Sequence, residues 1–308
     1  MRSARTLGIT AALRSTALLA SLLAAPVLAA SPRDALVVSP AWLAEHLADP
    51  KLVLLHVGVP EEYGARHIPG ARFVDPFEHL SVSEHTATGK MLEMQPKDVL
   101  HDRLAALGIS DDSRIVVYYA KDWVSPTTRV MLTLDYAGLG ERSAMLDGGM
   151  EAWVKEGHPV TDAVPAPKTG ALAALALRPI IVDADFVRGQ LGVAGVAVVD
   201  GRSASFYDGV ETGGAHGGTH KTGHIAGARS VPYSAVVDDQ NRLRSAEELT
   251  ALFAKAGVKP GDTVVGYCHI GQQATAMLFA ARTLGYKVVL YDGSFEDWSK
   301  RDLPVEKK

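Results

Sequence analysis

Apolar runs of two kinds alternate along this chain: short β-branched blocks that read as buried strands, and longer stretches whose apolar positions recur at helical spacing. Ser39-Pro40-Ala41-Trp42-Leu43 offers a capping serine with proline at the first helical position, and residues 51–57 follow as a short buried strand. Residues 96–107 read as another helix ended by Gly108, residues 114–119 as an apolar strand and residues 127–138 as a further helical stretch. Strand and helix keep alternating, which predicts an α/β fold with a mostly parallel sheet covered by helices on both faces.

The second half of the chain repeats the first. His67-Ile68-Pro69-Gly70-Ala71-Arg72 recurs as His224-Ile225-Ala226-Gly227-Ala228-Arg229, and Leu146-Asp147-Gly148-Gly149-Met150-Glu151-Ala152-Trp153 as Tyr291-Asp292-Gly293-Ser294-Phe295-Glu296-Asp297-Trp298. Between them, Ile115-Val116-Val117-Tyr118-Tyr119 matches Thr263-Val264-Val265-Gly266-Tyr267. Three matches in one order at a long, nearly constant separation mean a duplicated domain rather than a solenoid. Val164-Pro165-Ala166-Pro167-Lys168-Thr169-Gly170 has the composition of a linker. The expected divisions are residues 34–162 for the first domain, 163–178 for the linker and 179–306 for the second domain. Two domains also suit a length of 308 residues. Trp153 and Trp298 recur in both copies, as core or interface aromatics do.

Residues 1–30 stand apart from this pattern. Arg2, Arg5 and Arg14 precede an apolar run from Ala17 to Leu28 that ends in small residues, the layout of a secretory signal peptide. The run is short for a membrane span, and the lack of acidic side chains leaves a mitochondrial transit peptide as the alternative. The expected location is the periplasm or outside the cell, with no membrane attachment once the signal is cleaved. A net charge of −4 gives no reason to expect nucleic acid as a partner. One cysteine excludes an internal disulfide and a Cys-based zinc site.

That cysteine, Cys268, lies in Val264-Val265-Gly266-Tyr267-Cys268-His269-Ile270-Gly271-Gln272-Gln273-Ala274, which reads as a strand, a tight loop and a helix running to about Leu284. Backbone N–H groups at a helix N-terminus favour a thiolate, while a buried structural cysteine fits the stretch alone equally well. In the first copy the corresponding position is expected at Ala120, and Arg202 of Val199-Asp200-Gly201-Arg202 corresponds roughly to Gly58. Both candidate chemical groups therefore belong to the second copy. A nucleophile must be ionised and exposed, and Gly271 lets the loop curl so that amides point inward at Cys268. Arg202, at a strand's C-terminal end, suits an anionic substrate group; the plainer reading is a surface ion pair with an acidic neighbour.

The paired His-Ile-x-Gly-Ala segments, Asp200-Gly201-Arg202, Cys268-x-x-Gly271 and Tyr291-Asp292-Gly293 before Trp298 together resemble the two-domain rhodanese family of sulfurtransferases over nearly everything after the first thirty residues. The resemblance implies two tandem rhodanese-like domains, the first without a catalytic cysteine. It also implies transfer of sulfane sulfur from thiosulfate or 3-mercaptopyruvate to cyanide or a thiol through a Cys268 persulfide, with no metal or organic cofactor. Arg202 and the loop residues His269, Ile270, Gly271, Gln272 and Gln273 would then bind the donor. Thiosulfate-preferring members often have basic residues directly after the cysteine and mercaptopyruvate-preferring ones small uncharged residues; this loop fits neither, so the donor stays open. His269 is a candidate acid or base whose side chain could equally point to solvent.

Two other readings compete. A persulfide carrier would deliver sulfur to a protein partner without efficient turnover of small molecules. A cysteine phosphatase or arsenate reductase needs an arginine six residues after the cysteine, where Ala274 stands here. His216, His220 and His224 are spaced four apart, a metal-binding interval on a helix, but the intervening glycines disfavour one and His224 is matched by His67. This His-rich stretch is an insertion in the second copy, expected to border the active cleft.

Overall fold

The computed structural model describes residues 31–75, 77–82, 91–121, 124–213 and 220–308. The signal-peptide expectation for residues 1–30, and His216, lie outside the described residues.

The first domain holds five strands: β1 (Val37–Val38), β2 (Leu52–Val57), β3 (Arg72–Val74), β4 (Arg114–Tyr119) and β5 (Ser143–Leu146), ordered β1-β5-β4-β2-β3. The second holds β6 (Ile181–Val182), β7 (Val196–Asp200), β8 (His224–Ile225), β9 (Arg229–Ser230), β10 (Thr263–Tyr267), β11 (Lys287–Tyr291) and β12 (Val305–Glu306). Its main sheet runs β6-β11-β10-β7-β9, the same order strand for strand, and every pair in both sheets is parallel. β8 and β12 form a small antiparallel pair at the side. Central β2, β4, β7 and β10 are buried over nearly their whole length, as expected of parallel strands covered on both faces.

Three apolar clusters show those two faces. Leu43, Met150 and Trp153 cover the outer face of the first sheet, and Ala184, Val187, Phe295 and Trp298 that of the second. The third cluster is shared: Leu100, Leu104, Val130 and Leu134 of the first domain join Leu249, Phe253, Met277 and Leu278 of the second in one continuous core. Two helices make the central contact, Val124–Tyr136 and Gln273–Thr283, where the hydroxyls of Thr128 and Thr275 meet at 2.8 Å. The helix that starts just after the cysteine loop is thus packed against the first domain.

The duplication extends to side chains. Trp153 and Trp298 are fully buried, and their indole N–H groups donate to Pro159 O and Pro304 O at 2.7 and 3.0 Å, so both are core residues. His67 and His224 each donate from Nδ1 to a tyrosine carbonyl, Tyr63 O and Tyr207 O, at 2.8 Å and stack on that tyrosine's ring. Such a histidine ties a helix end to the following strand, so His224 is accounted for by the fold.

The candidate active site at the end of the second sheet

Strand register corrects the sequence alignment of the two copies. Val117 pairs with Met145, and Gly266 with Leu290; Tyr118 pairs with His56, and Tyr267 with Asp200. Tyr118 and Tyr267 also receive the same bond, from the N–H groups of Ile68 and Ile225. The residue after each is Tyr119 and Cys268. Tyr119, not Ala120, is therefore the first-domain counterpart of Cys268; the sequence match was one residue out because a tyrosine pair can be aligned on either ring. Tyr119 Oη donates across the domain interface to Asn241 O.

Cys268 directly follows β10, at the C-terminal edge where open parallel sheets bind ligands. Its N–H donates to Ser294 Oγ at 3.1 Å, and its carbonyl accepts from Phe295 N at 2.9 Å. Ser294 is one of three described non-glycine residues with positive φ, 52°, and its hydroxyl donates to Tyr291 O at 2.9 Å. The turn after β11 is thus built as a shelf under the cysteine. Cys268 itself is fully buried. The exposed thiol expected of a nucleophile is not what the structure contains, because the loop folds back over the strand end rather than standing out from it.

The loop runs from His269 to Gln272, the N-cap of the helix Gln273–Thr283. Gly271 has φ of +83°, and a Cβ there would sit 2.8 Å from Asp292 O. Only glycine fits this reversed, pressed conformation. Among the described residues the N–H groups of Ile270, Gly271 and Gln272 make no hydrogen bond. Successive free amides beside a helix N-terminus are a setting that holds an anion. Gln272 Nε2 reaches Ser125 Oγ of the first domain at 3.4 Å, and Gln273 Oε1 is buried with no partner among the described residues.

His269 does not point to solvent. Its ring is buried edge-on to Phe206 with centroids 4.5 Å apart, and 6.2 Å from the ring of His220. The inserted His-rich stretch therefore does reach the loop, through His220, whose pKa is lowered first by burial and then by Arg202 and Lys300 against the pull of Glu296. Among the described residues no group of three His, Cys, Asp or Glu side chains is arranged to hold a metal ion.

Arg202 is likewise buried rather than part of a surface pair. Its Nε and Nη2 grip both oxygens of fully buried Asp200 at 2.7–3.1 Å, Nη2 also donates to Gly223 O at 2.7 Å, and its guanidinium lies 4.0 Å from the centroid of the Phe295 ring. Nη1 makes no hydrogen bond among the described residues. Burial lowers its pKa, but Asp200, Tyr267 and Cys268 outweigh this and hold it above the ordinary value. The arginine and the thiol follow the ends of two paired strands, Asp200 of β7 lying opposite Tyr267 of β10, while most of the arginine's donors are committed. In the first domain Gly58 stands at this place, and a Cβ there would lie 2.9 Å from His56 Nε2 and 3.2 Å from Glu62 Oε2, so no arginine fits. Ala274, where a Cys-x5-Arg loop needs its arginine, is fully buried, and its methyl group offers no charge to an oxyanion.

Residues that sequence reasoning left out of the site are Ser294, Asp292 and Phe295, and Arg129 of the first domain. The first three lie in the repeated turn motif, where Gly149 against Ser294 was a visible difference between copies.

A family model for the Rhodanese-like domain matches residues 39–156 and 183–301. The chain belongs to the rhodanese-like family, with one such domain in each half. It is 31% identical over 275 residues to the thiosulfate sulfurtransferase of Azotobacter vinelandii, covering 88% of this chain and 97% of that one. It is also 31% identical over 295 residues to the sulfur carrier protein TtuD of Thermus thermophilus, covering 88% and 96%. Among solved structures, YnjE aligns with a TM-score of 0.79 at 27% identity, over 91% of this chain and 70% of that one. EanB aligns at 0.77 over 90% and 70% with 22% identity, a likeness of fold alone.

Proposed function

We propose that this chain is a sulfurtransferase that carries sulfane sulfur on Cys268. The observation that carries the reading is the position of the sole cysteine: it follows β10, beneath a loop whose Ile270, Gly271 and Gln272 amides have no partner among the described residues, beside the end of β7 where buried Arg202 stands. Family membership and relatives named for thiosulfate sulfur transfer support it.

In the proposed cycle the Cys268 thiolate attacks the outer sulfur of thiosulfate. A sulfur–sulfur bond forms on the enzyme, the one within thiosulfate breaks, and sulfite leaves with the electron pair. With 3-mercaptopyruvate the carbon–sulfur bond breaks instead, and the departing enolate takes the thiol proton to become pyruvate. A thiolate or cyanide then attacks the outer sulfur and releases the Cys268 thiolate. The amides of Ile270, Gly271 and Gln272 stabilise the charge on the persulfide and the leaving group, and Arg202 adds Nη1 and its field. With neutral Gln272 and Gln273 and a buried His269, the loop brings no fixed cation of its own. No metal or organic cofactor enters these steps.

The name of the Thermus relative and the full burial of Cys268 favour a second reading, a carrier that hands sulfur to a protein acceptor. Steady-state turnover of each donor with cyanide, set beside single-turnover loading, separates them. An enzyme cycles at the loading rate; a carrier loads once and stalls until its protein acceptor is added. Removal of residues 1–30 on export, giving a periplasmic or secreted protein, belongs to the same proposal and is tested by the N-terminus of the mature chain.

A further inference from the structure

Arg129 belongs to the first domain, on the helix Val124–Tyr136, yet its guanidinium is spent on the second. Nη1 donates to Gly271 O at 3.0 Å and to Asp292 Oδ1 at 2.7 Å, and Nη2 donates to Leu92 O. The residue is only 2% exposed. The second oxygen of Asp292 accepts from Met94 N at 3.2 Å, so the carboxylate too is held from the first domain. Gly271 and Asp292 are the middle of the cysteine loop and the first residue of the turn under it.

The two copies differ at this point. Thr128 and Thr275 face each other where the two helices cross, and the next residues are Arg129 and Ala276. At this position only the first domain's helix carries an arginine; the other helix has Arg282 at its far end, bonded to Gly140 O at 3.2 Å. The opposite turn is also held across the interface, Asp147 accepting from Leu243 N at 3.1 Å, but among the described residues no arginine bonds a backbone carbonyl of the loop after Tyr119.

We propose that Arg129 is a positioning residue for Cys268. The C=O and N–H of a trans peptide point in opposite directions. Holding Gly271 O against Arg129 therefore turns the Gln272 N–H the other way, into the loop, and fixes one of the amides that face the anion. The glycine's φ of +83°, with a Cβ position 3.3 Å from Arg129 Nη1, shows how tightly the loop is pressed on this brace. Arg129 thus sets the loop's shape from outside it and touches neither donor nor thiol. The inference rests on the sulfur-transfer reading for its effect on turnover, but its effect on the thiol stands apart from that reading.

The test uses the full chain with Arg129→Gln and Arg129→Lys. Thiolate absorbance, corrected with Cys268→Ser, reports Cys268 alone because the chain has one cysteine. For Arg129→Gln the midpoint of thiolate formation moves to higher pH, and kcat for thiosulfate with cyanide falls about 100-fold while KM changes little, as a displaced catalytic loop would give. Arg129→Lys recovers part of both effects and stands in if Arg129→Gln does not fold. Arg282→Gln, which removes the bond from Arg282 Nη2 to Gly140 O at 3.2 Å across the same interface, at the far end of the helix from the loop, leaves the thiolate midpoint where it was. The inference is overturned if folded Arg129 variants titrate and turn over as the parent does, or if Arg282→Gln shifts the midpoint as far. A parent that titrates and shifts as described but never transfers sulfur would contradict the function and leave the brace standing.

Discussion

Tyr119 and Cys268 occupy the same point of the two copies, each one residue beyond the tyrosine that bonds the His-Ile segment. Around them the partners are exchanged as well. Ser294 supports Cys268 through its hydroxyl, whereas Gly149, at φ of 54°, lies so near the Tyr119 ring that a Cβ would come within 2.6 Å of it. The first domain has filled with a phenol the space the second keeps for sulfur.

Restoring a thiol to the first domain is therefore not enough to restore chemistry. Tyr119→Cys in a Cys268→Ser background is expected to show no sulfur loading and no turnover, because Gly58 supplies no guanidinium and Gly149 no hydroxyl. Mass spectrometry after exposure to thiosulfate checks it, and a loaded first domain would mean that the thiol alone defines the site.

Arg202 is the residue whose substitution must be read with care. Replacing it by Ala strands Asp200, which is 0% exposed, as an unpaired buried charge, a change that costs about 3–5 kcal/mol in other proteins. Arg202→Ala should therefore lower the denaturant midpoint strongly, and a raised KM from that variant alone says little. Arg202→Lys, which keeps the charge but loses the two-pronged grip on Asp200, is expected to fold and to raise the KM for thiosulfate. An unchanged KM in folded Arg202→Lys would remove the residue from donor binding.

Acid sensitivity should come in part from the domain without the thiol. His56 is fully buried, and burial first, then repulsion from His67, lowers its pKa from 6.5 to about 4. Between those values the unfolded chain binds a proton that the folded chain refuses. Stability due to this group is complete above pH 6.5 and is lost as pH falls towards 4, by roughly 3 kcal/mol in all. Urea midpoints measured across this window should fall more steeply for the parent than for His56→Gln. Parallel curves would show that His56 does not govern this loss.

The sequence carried the architecture because each half repeats a pattern with one physical solution: apolar strands buried on both faces, joined by amphipathic helices. It also placed Cys268, Gly271 and Arg202 together, since all three follow strand ends that meet at one edge of a parallel sheet. It did not reveal that His269 and Arg202 are buried, because burial there depends on Phe206 packing against His269 and Phe295 arriving over Arg202 from the last helix. Arg129 was illegible for a stronger reason. It lies in the half without the thiol, in a helix whose pattern marks it only as a polar residue among apolar ones, and its partners are a backbone carbonyl and a carboxylate of the other domain.

The central claim is that sulfur resides on Cys268, and the direct measurement is the intact mass of the protein after brief exposure to thiosulfate and after subsequent exposure to cyanide. The account predicts one added sulfur atom, mapped to the Cys268 peptide, absent in Cys268→Ser, and removed by cyanide as thiocyanate. No mass gain in the parent, or the same gain in Cys268→Ser, would contradict it.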